Sequence, residues 1–231
     1  MHRAGVRVPV APDHAMDPEE VSMPLSSRTI SLSAGALVIV GLVATYVMTR
    51  PEGDNPFAPC QSSAMAGAGA IGGPFTMMDE NGKTVTDTDL FTKPSLVYFG
   101  YTYCPDICPV DTARNAEAID ILDEKGIEVT PVFISVDPRR DTPQTLRDWT
   151  DNVHPRMIGL TGTPDQIKVT AQAYKVLYQV PENPADDSYT VNHTTFSYLM
   201  LPGTGFAEVF TRDVTADKMA ETIACYVENA R

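Results

Sequence analysis

Two cysteines stand four residues apart in the run Tyr101-Thr102-Tyr103-Cys104-Pro105-Asp106-Ile107-Cys108-Pro109. Thiols at that spacing, about one helical turn, have three chemistries open to them. They can hold a soft metal ion, close a disulfide, or exchange electrons with a partner dithiol. The apolar run just before them, residues 95–99, reads as a buried strand, and the run after them reads as a helix. The pair therefore falls in a strand-to-helix turn, where backbone N–H groups and the helix dipole favour thiolate over thiol. Pro105 and Pro109 fix φ and limit how the loop can collapse.

Two thiolates alone leave most metal ions under-coordinated, and imidazole complements them well for either copper state. The chain has four His. His2 and His14 lie near the N-terminus. His154 precedes Pro155 in a polar loop and reads as a surface residue. His193 opens the apolar run 194–201, but a lone His is more often structural than a ligand. A closed zinc site needs a further Cys or His nearby, and neither Cys60 nor Cys225 is placed for one. Those two leave open a disulfide between an N-terminal linker and the last helix, although Cys225 falls off the apolar stripe of Met219, Ile223, Tyr226 and Val227.

The elements that must position the pair follow from pattern. Residues 75–79 and 84–86 flank Asn81-Gly82, a strong hairpin signal. Apolar strands are expected at 95–99, 128–136 and 157–160. Helices are expected at 109–125, closed by Gly126, at 142–151 with Thr142 as cap and Pro143 in first position, and at 164–174 with Thr163 as cap. Strands 194–201 and 206–210 form a second hairpin before a final helix at 215–229. Strands alternating with helices argue for an α/β fold of thioredoxin-like order, with an additional N-terminal β-hairpin.

Residues 30–48 run for 19 positions without a charge, between Arg28 and Arg50. About 20 apolar residues cross a hydrocarbon core of roughly 30 Å, so one transmembrane helix is expected before the fold. A cleaved signal peptide fits less well, because Tyr46-Val47-Met48-Thr49-Arg50 is a poor cleavage context. The expected organisation is an N-terminal cytoplasmic segment at 1–29, the anchor at 30–48, a flexible Pro/Gly/Ala/Ser linker at 49–73 and a folded domain at 74–231. That domain should lie outside the cytoplasm, in a bacterium on the periplasmic side of the inner membrane.

The net charge is −13. Four Lys and Arg before residue 74 nearly balance six Asp and Glu, so the acidic excess belongs to the domain. An acidic surface repels phosphate backbones and excludes nucleic acid as a partner.

Beyond the cysteine run, several segments together resemble one family. They are Gly73-Pro74-Phe75, Val97-Tyr98-Phe99-Gly100-Tyr101-Thr102, Ser135-Val136-Asp137-Pro138-Arg139-Arg140-Asp141-Thr142, Gly159-Leu160-Thr161-Gly162-Thr163 and His193-Thr194. The domain resembles the Sco/SenC family of membrane-anchored copper-binding assembly factors for cytochrome oxidase. The resemblance implies a thioredoxin-like fold and a copper ion, Cu(I) or Cu(II), held by Cys104, Cys108 and His193. Asp137 matches an acidic residue close to the family's site, as an outer partner or a weak ligand of the oxidised metal. It also implies a carrier rather than an enzyme. Its partners would be the copper-bearing subunit of a cytochrome oxidase and other periplasmic copper chaperones or thiol reductants. Members often have Asp before the His, where this chain has Asn192, which removes a charge beside the site. Two other readings stay in view. One is a thiol–disulfide oxidoreductase with a redox-active Cys104–Cys108 pair, and the other is a peroxiredoxin-type peroxidase using Cys104.

Overall fold

The computed structural model describes residues 39–43, 45, 55–64, 66, 71–182, 186 and 188–230. The chain divides into two units, Met1–Asp54 and Asn55–Arg231. In the first, the described residues 39–43 and 45 are helical. The rest of the expected span 30–48, and the segment 1–29, lie outside the described residues. Among the described residues no helix is long and apolar enough to cross a membrane.

The second unit contains strands β1 (Thr76–Asp79), β2 (Thr84–Thr86), β3 (Ser95–Gly100), β4 (Thr130–Ser135), β5 (Ile158–Thr161), β6 (Tyr178–Gln179), β7 (Asn192–His193), β8 (Ser197–Leu201) and β9 (Gly205–Phe210). Seven form one sheet in the order β2-β1-β5-β4-β3-β8-β9, while β6 and β7 pair separately. β3, β4 and β5 run parallel, and the outer strands join antiparallel. Every residue of β3 is buried, as its unbroken apolar run requires of a central strand covered on both faces. The α/β order and the N-terminal hairpin follow the expectation from pattern.

The helices are α1 (Asp87–Leu90), α2 (Ile107–Glu124), α3 (Pro143–Val153), α4 (Pro164–Ala173) and α5 (Ala216–Asn229). Thr142, Thr163 and Thr215 cap the last three by accepting backbone N–H groups of Thr145, Gln166 and Lys218, which satisfies donors the helix cannot. α2 ends where Gly126 turns to φ +73°, a left-handed conformation that costs glycine little. Tyr98 and Phe133 stack on one sheet face, where Trp149 of α3 covers Phe133 and Asp111 of α2 bonds Tyr98. Phe99 and Tyr198 meet Tyr174, just after α4, on the other.

Residues 55–63, read from composition as part of a linker, pack onto this unit. A 3-10 turn at Ala58–Cys60 places Cys60 in a disulfide with Cys225 of α5, Cα–Cα 5.6 Å. Phe57 packs on Tyr226, ring centroids 5.3 Å apart. The fully buried carboxylate of Glu208 accepts the Ser62 N–H at 2.7 Å, both serine hydroxyls of 62 and 63, and the Tyr226 hydroxyl at 3.4 Å. The folded unit thus starts at Asn55, earlier than the Pro74 expected. Small polar residues that look like linker here satisfy a buried acid.

Candidate metal centre

The cysteine turn hangs from the end of β3. Cys104 lies in the loop before α2, and its N–H donates to the Tyr101 carbonyl at 3.2 Å. α2 begins at Ile107, two residues earlier than expected, so Cys108 sits in its first turn while Cys104 stands outside it. The spacing of four does not put both on one helical face. Instead the Cys108 backbone N–H donates to Cys104 Sγ at 3.2 Å. Both thiols are free and buried.

That geometry makes the two thiols unequal. Burial opposes ionisation of Cys104, but the backbone N–H groups of Cys108 and Asp106, the Cys108 thiol and the Ile107 N–H outweigh it. They hold Cys104 below an ordinary thiol. Burial pushes Cys108 up, and the neighbouring Cys104 adds to the push. The helix terminus therefore activates one cysteine, not both as the placement alone suggested.

His193 reaches the pair from another element. It does not open β8 but belongs to β7, paired with Tyr178 of β6. Its Nε2 lies 3.3 Å from Cys108 Sγ, and its Nδ1 lies 2.9 Å from the Thr194 carbonyl oxygen. A carbonyl only accepts, so Nδ1 carries the hydrogen and Nε2 presents a lone pair to the sulfur. Burial lowers the His193 pKa against the pull of that carbonyl, which keeps the ring neutral and able to ligate. One ligand atom each from Cys104, Cys108 and His193 lies within 4.8 Å of the others. A soft ion with two thiolates and one imidazole fits this donor set.

Asp137 is not in that group. It is fully buried. Its Oδ2 pairs with Arg140 Nε at 2.5 Å and its Oδ1 accepts the Tyr189 hydroxyl at 2.9 Å. Asp141, also buried, holds the cysteine loop by accepting the Thr102 N–H at 3.1 Å and hydroxyl at 2.6 Å, and it ties Ser135 of β4 to the same carboxylate. Tyr98 donates to the buried Asp111 at 3.0 Å beneath the site. Of these, sequence reasoning singled out Asp137 alone. The charges of Arg139-Arg140-Asp141, in a run between apolar strand and helix, marked the segment without showing that Arg140 and Asp141 turn inward. Asp111 and Tyr189 carried no such signal.

His154 is buried rather than on the surface. Its Nδ1 accepts the Arg156 N–H at 3.1 Å and its Nε2 faces Asp120 at 3.6 Å. With Nδ1 accepting, Nε2 must carry the proton, and Asp123 is paired with Arg156 at 2.8 Å. Burial lowers the His154 pKa, so this group is a neutral imidazole facing Asp120 beside the Asp123–Arg156 ion pair, separate from the thiols.

The comparisons with known proteins agree with this geometry. The sequence pattern of the SCO1/SenC family matches residues 63–228. Protein SenC of Rhodobacter capsulatus is 49% identical over 208 residues, covering 89% of this chain and 93% of the relative. Among solved structures, Arabidopsis thaliana ScoI with copper bound superposes with a TM-score of 0.65 at 41% identity, over 69% of this chain and 99% of that one. BsSco is described as a member of the Sco family of cytochrome c oxidase assembly proteins with a disulfide switch. It superposes at 0.54 with 25% identity, over 68% of this chain and 93% of that one. A thioredoxin-like sheet, a dithiol at its strand-to-helix turn and an imidazole brought to it from a separate hairpin are joined here to a sequence match over most of the folded unit, and the chain belongs to the SCO1/SenC family.

Proposed function

We propose that this protein is a copper carrier that helps assemble the copper centre of a cytochrome oxidase. The observation that carries this reading is the convergence of two thiols and one neutral imidazole in a family whose Arabidopsis thaliana member is known with copper bound. Cys104, Cys108 and His193 hold the ion as cargo. With Cu(I), two thiolates and an imidazole make a soft, low-coordinate site that a partner's thiols can take over by ligand exchange, one bond formed for each bond broken and no electron moved. Asp137, paired with Arg140, stands outside the donor set.

The recipient is the copper-bearing subunit of the oxidase. Residues 30–48 anchor the protein in the bacterial inner membrane with the folded unit in the periplasm. Anchoring raises the effective concentration of the carrier near a membrane partner. Copper stoichiometry on the reduced full-length chain tests this. Wild type should bind one equivalent, and Cys104→Ser should bind it far more weakly. Equal binding by the two would overturn the reading.

One observation favours a second activity at the same place. A low-pKa Cys104 beside a buried Cys108 is the asymmetry of a dithiol that attacks with one sulfur and resolves with the other. His193→Ala separates the two roles, since the imidazole contacts the buried Cys108 and not the attacking Cys104: loss of copper with Cys104 reactivity unchanged supports the carrier.

A further inference from the structure

The donors of the site come from parts held by very different amounts of strand pairing. Cys104 and Cys108 hang from β3, in the middle of the sheet. His193 rides on the hairpin of β6 and β7, which pair over two residues each. Its base is closed by the Thr194 N–H on the Leu177 carbonyl at 2.8 Å and the Leu177 N–H on Thr194 Oγ1 at 3.0 Å. An isolated hairpin of that size is not stable by itself, so contacts outside it must hold it against the cysteine loop.

Arg140 supplies such contacts. The side chain is 4% exposed and paired with Asp137. Its Nη1 donates to the Tyr189 carbonyl at 2.8 Å, and its guanidinium lies over the Tyr189 ring, 3.5 Å from the centroid. Tyr189 is four residues before His193. The same guanidinium faces the ring of Tyr103 at 4.8 Å and that of Tyr101 at 5.5 Å, both in the cysteine loop. Tyr101 then meets the His193 ring edge-on, centroids 5.9 Å apart at 89°. The Tyr189 hydroxyl closes the circuit on Asp137.

We propose that Arg140 is a positioning residue that clasps the His193 hairpin to the cysteine loop and so sets whether the imidazole stands over the dithiol. It touches no cargo. A planar, delocalised cation is needed because it must stack on tyrosine while donating in its own plane to Asp137 and to the Tyr189 carbonyl. Lysine keeps the charge but cannot do both. The inference rests on the reading of the three donors as copper ligands, but its first readout needs no metal.

Arg140→Lys preserves a cation beside the buried Asp137, and Tyr189→Leu leaves the ion pair intact while removing the stacked ring. In the reduced, metal-free full-length chain, amides of residues 188–194 should exchange about tenfold faster or more in either variant, while those of 96–99 stay as in wild type. Copper affinity should fall by about tenfold or more. In a His193→Ala background the Arg140→Lys change should cost no further affinity, because the residue it positions is gone. Unchanged exchange at 188–194 in both variants would overturn the proposal, and so would an equal affinity loss with and without His193. If wild type bound no copper, the carrier reading would fail, and the exchange experiment would still decide the clasp.

Discussion

Cys108 Sγ and His193 Nε2 lie 3.3 Å apart across 85 residues of sequence. The Thr194 carbonyl fixes the hydrogen on Nδ1, so the contact is a thiol hydrogen directed at an imidazole lone pair. A thiophilic cation entering here replaces one proton and finds both lone pairs already aimed. Removing an outer partner of a metal ligand costs 10–100-fold in affinity, so deleting the ligand should cost at least about 100-fold. His193→Ala should therefore weaken Cu(I) binding by that factor in a competition titration with a chromogenic chelator. Loss of less than a factor of three would remove His193 from the donor set.

The two thiols should react in a fixed order. Backbone donors hold Cys104 below the ordinary thiol value, and burial holds Cys108 above it. The thiolate is the reactive form and its fraction rises with pH, so Cys104 gains reactivity at lower pH than Cys108. In the reduced, metal-free protein, iodoacetamide should label Cys104 first, with a rate midpoint below that of an ordinary thiol, while Cys108 stays unlabelled near neutrality. Peptide mapping over a pH series checks this, and equal labelling at pH 7 would contradict it.

Gly100 sits where the end of β3 passes behind the site. A Cβ there would lie 2.8 Å from Phe133 Cε2 and 3.0 Å from Cys108 Sγ. Neither neighbour can swing away, because both are fully buried. Gly100→Ala should cost about 1–3 kcal/mol by overpacking and weaken copper binding by displacing Cys108. Denaturant unfolding and a copper titration on the same preparation test both halves. A variant as stable as wild type would show that the crowding relaxes elsewhere.

The Cys60–Cys225 disulfide belongs with the hydrophobic cluster around α2 and α5, whereas Cys104 and Cys108 belong with the larger cluster. Replacing both Cys60 and Cys225 by Ser should lower stability by about 2–5 kcal/mol and leave one copper equivalent bound. Glu208→Gln should loosen residues 62–63 by removing the charge their donors satisfy, seen as faster proteolysis near the start of the unit. Loss of copper stoichiometry in the double Ser variant would show that the clusters are coupled.

The central strands were legible because burial on both faces leaves an unbroken apolar run, as in Ser95-Leu96-Val97-Tyr98-Phe99. The starts of α3 and α4 were legible because Thr followed by Pro is a local signal. The cysteine turn followed from those neighbours. His193 entered through the resemblance, since two-residue strands leave no period and its partner Tyr178 lies across a polar segment. Arg140 and Glu208 were hidden for a common reason. A charged residue in sequence reads as surface, and each becomes interior only when a distant element, Tyr189 or Ser62 and Ser63, arrives to cover it. The Cys60–Cys225 bond stayed open because four cysteines allow three pairings and sequence does not choose among them.

The bond's span of 165 residues sets a timetable for biosynthesis. The chain is made from its N-terminus, so Cys60 appears first, Cys104 and Cys108 next, and Cys225 only with the final helix. Throughout that interval under oxidising conditions, the sulfurs within reach of Cys60 are the two that the site requires free. Correct pairing therefore depends on β3 and α2 sequestering Cys104 and Cys108 before the last helix is delivered, or on a thiol catalyst undoing early errors. Under those conditions maturation becomes a race between burial and oxidation, with the disulfide as its finishing step.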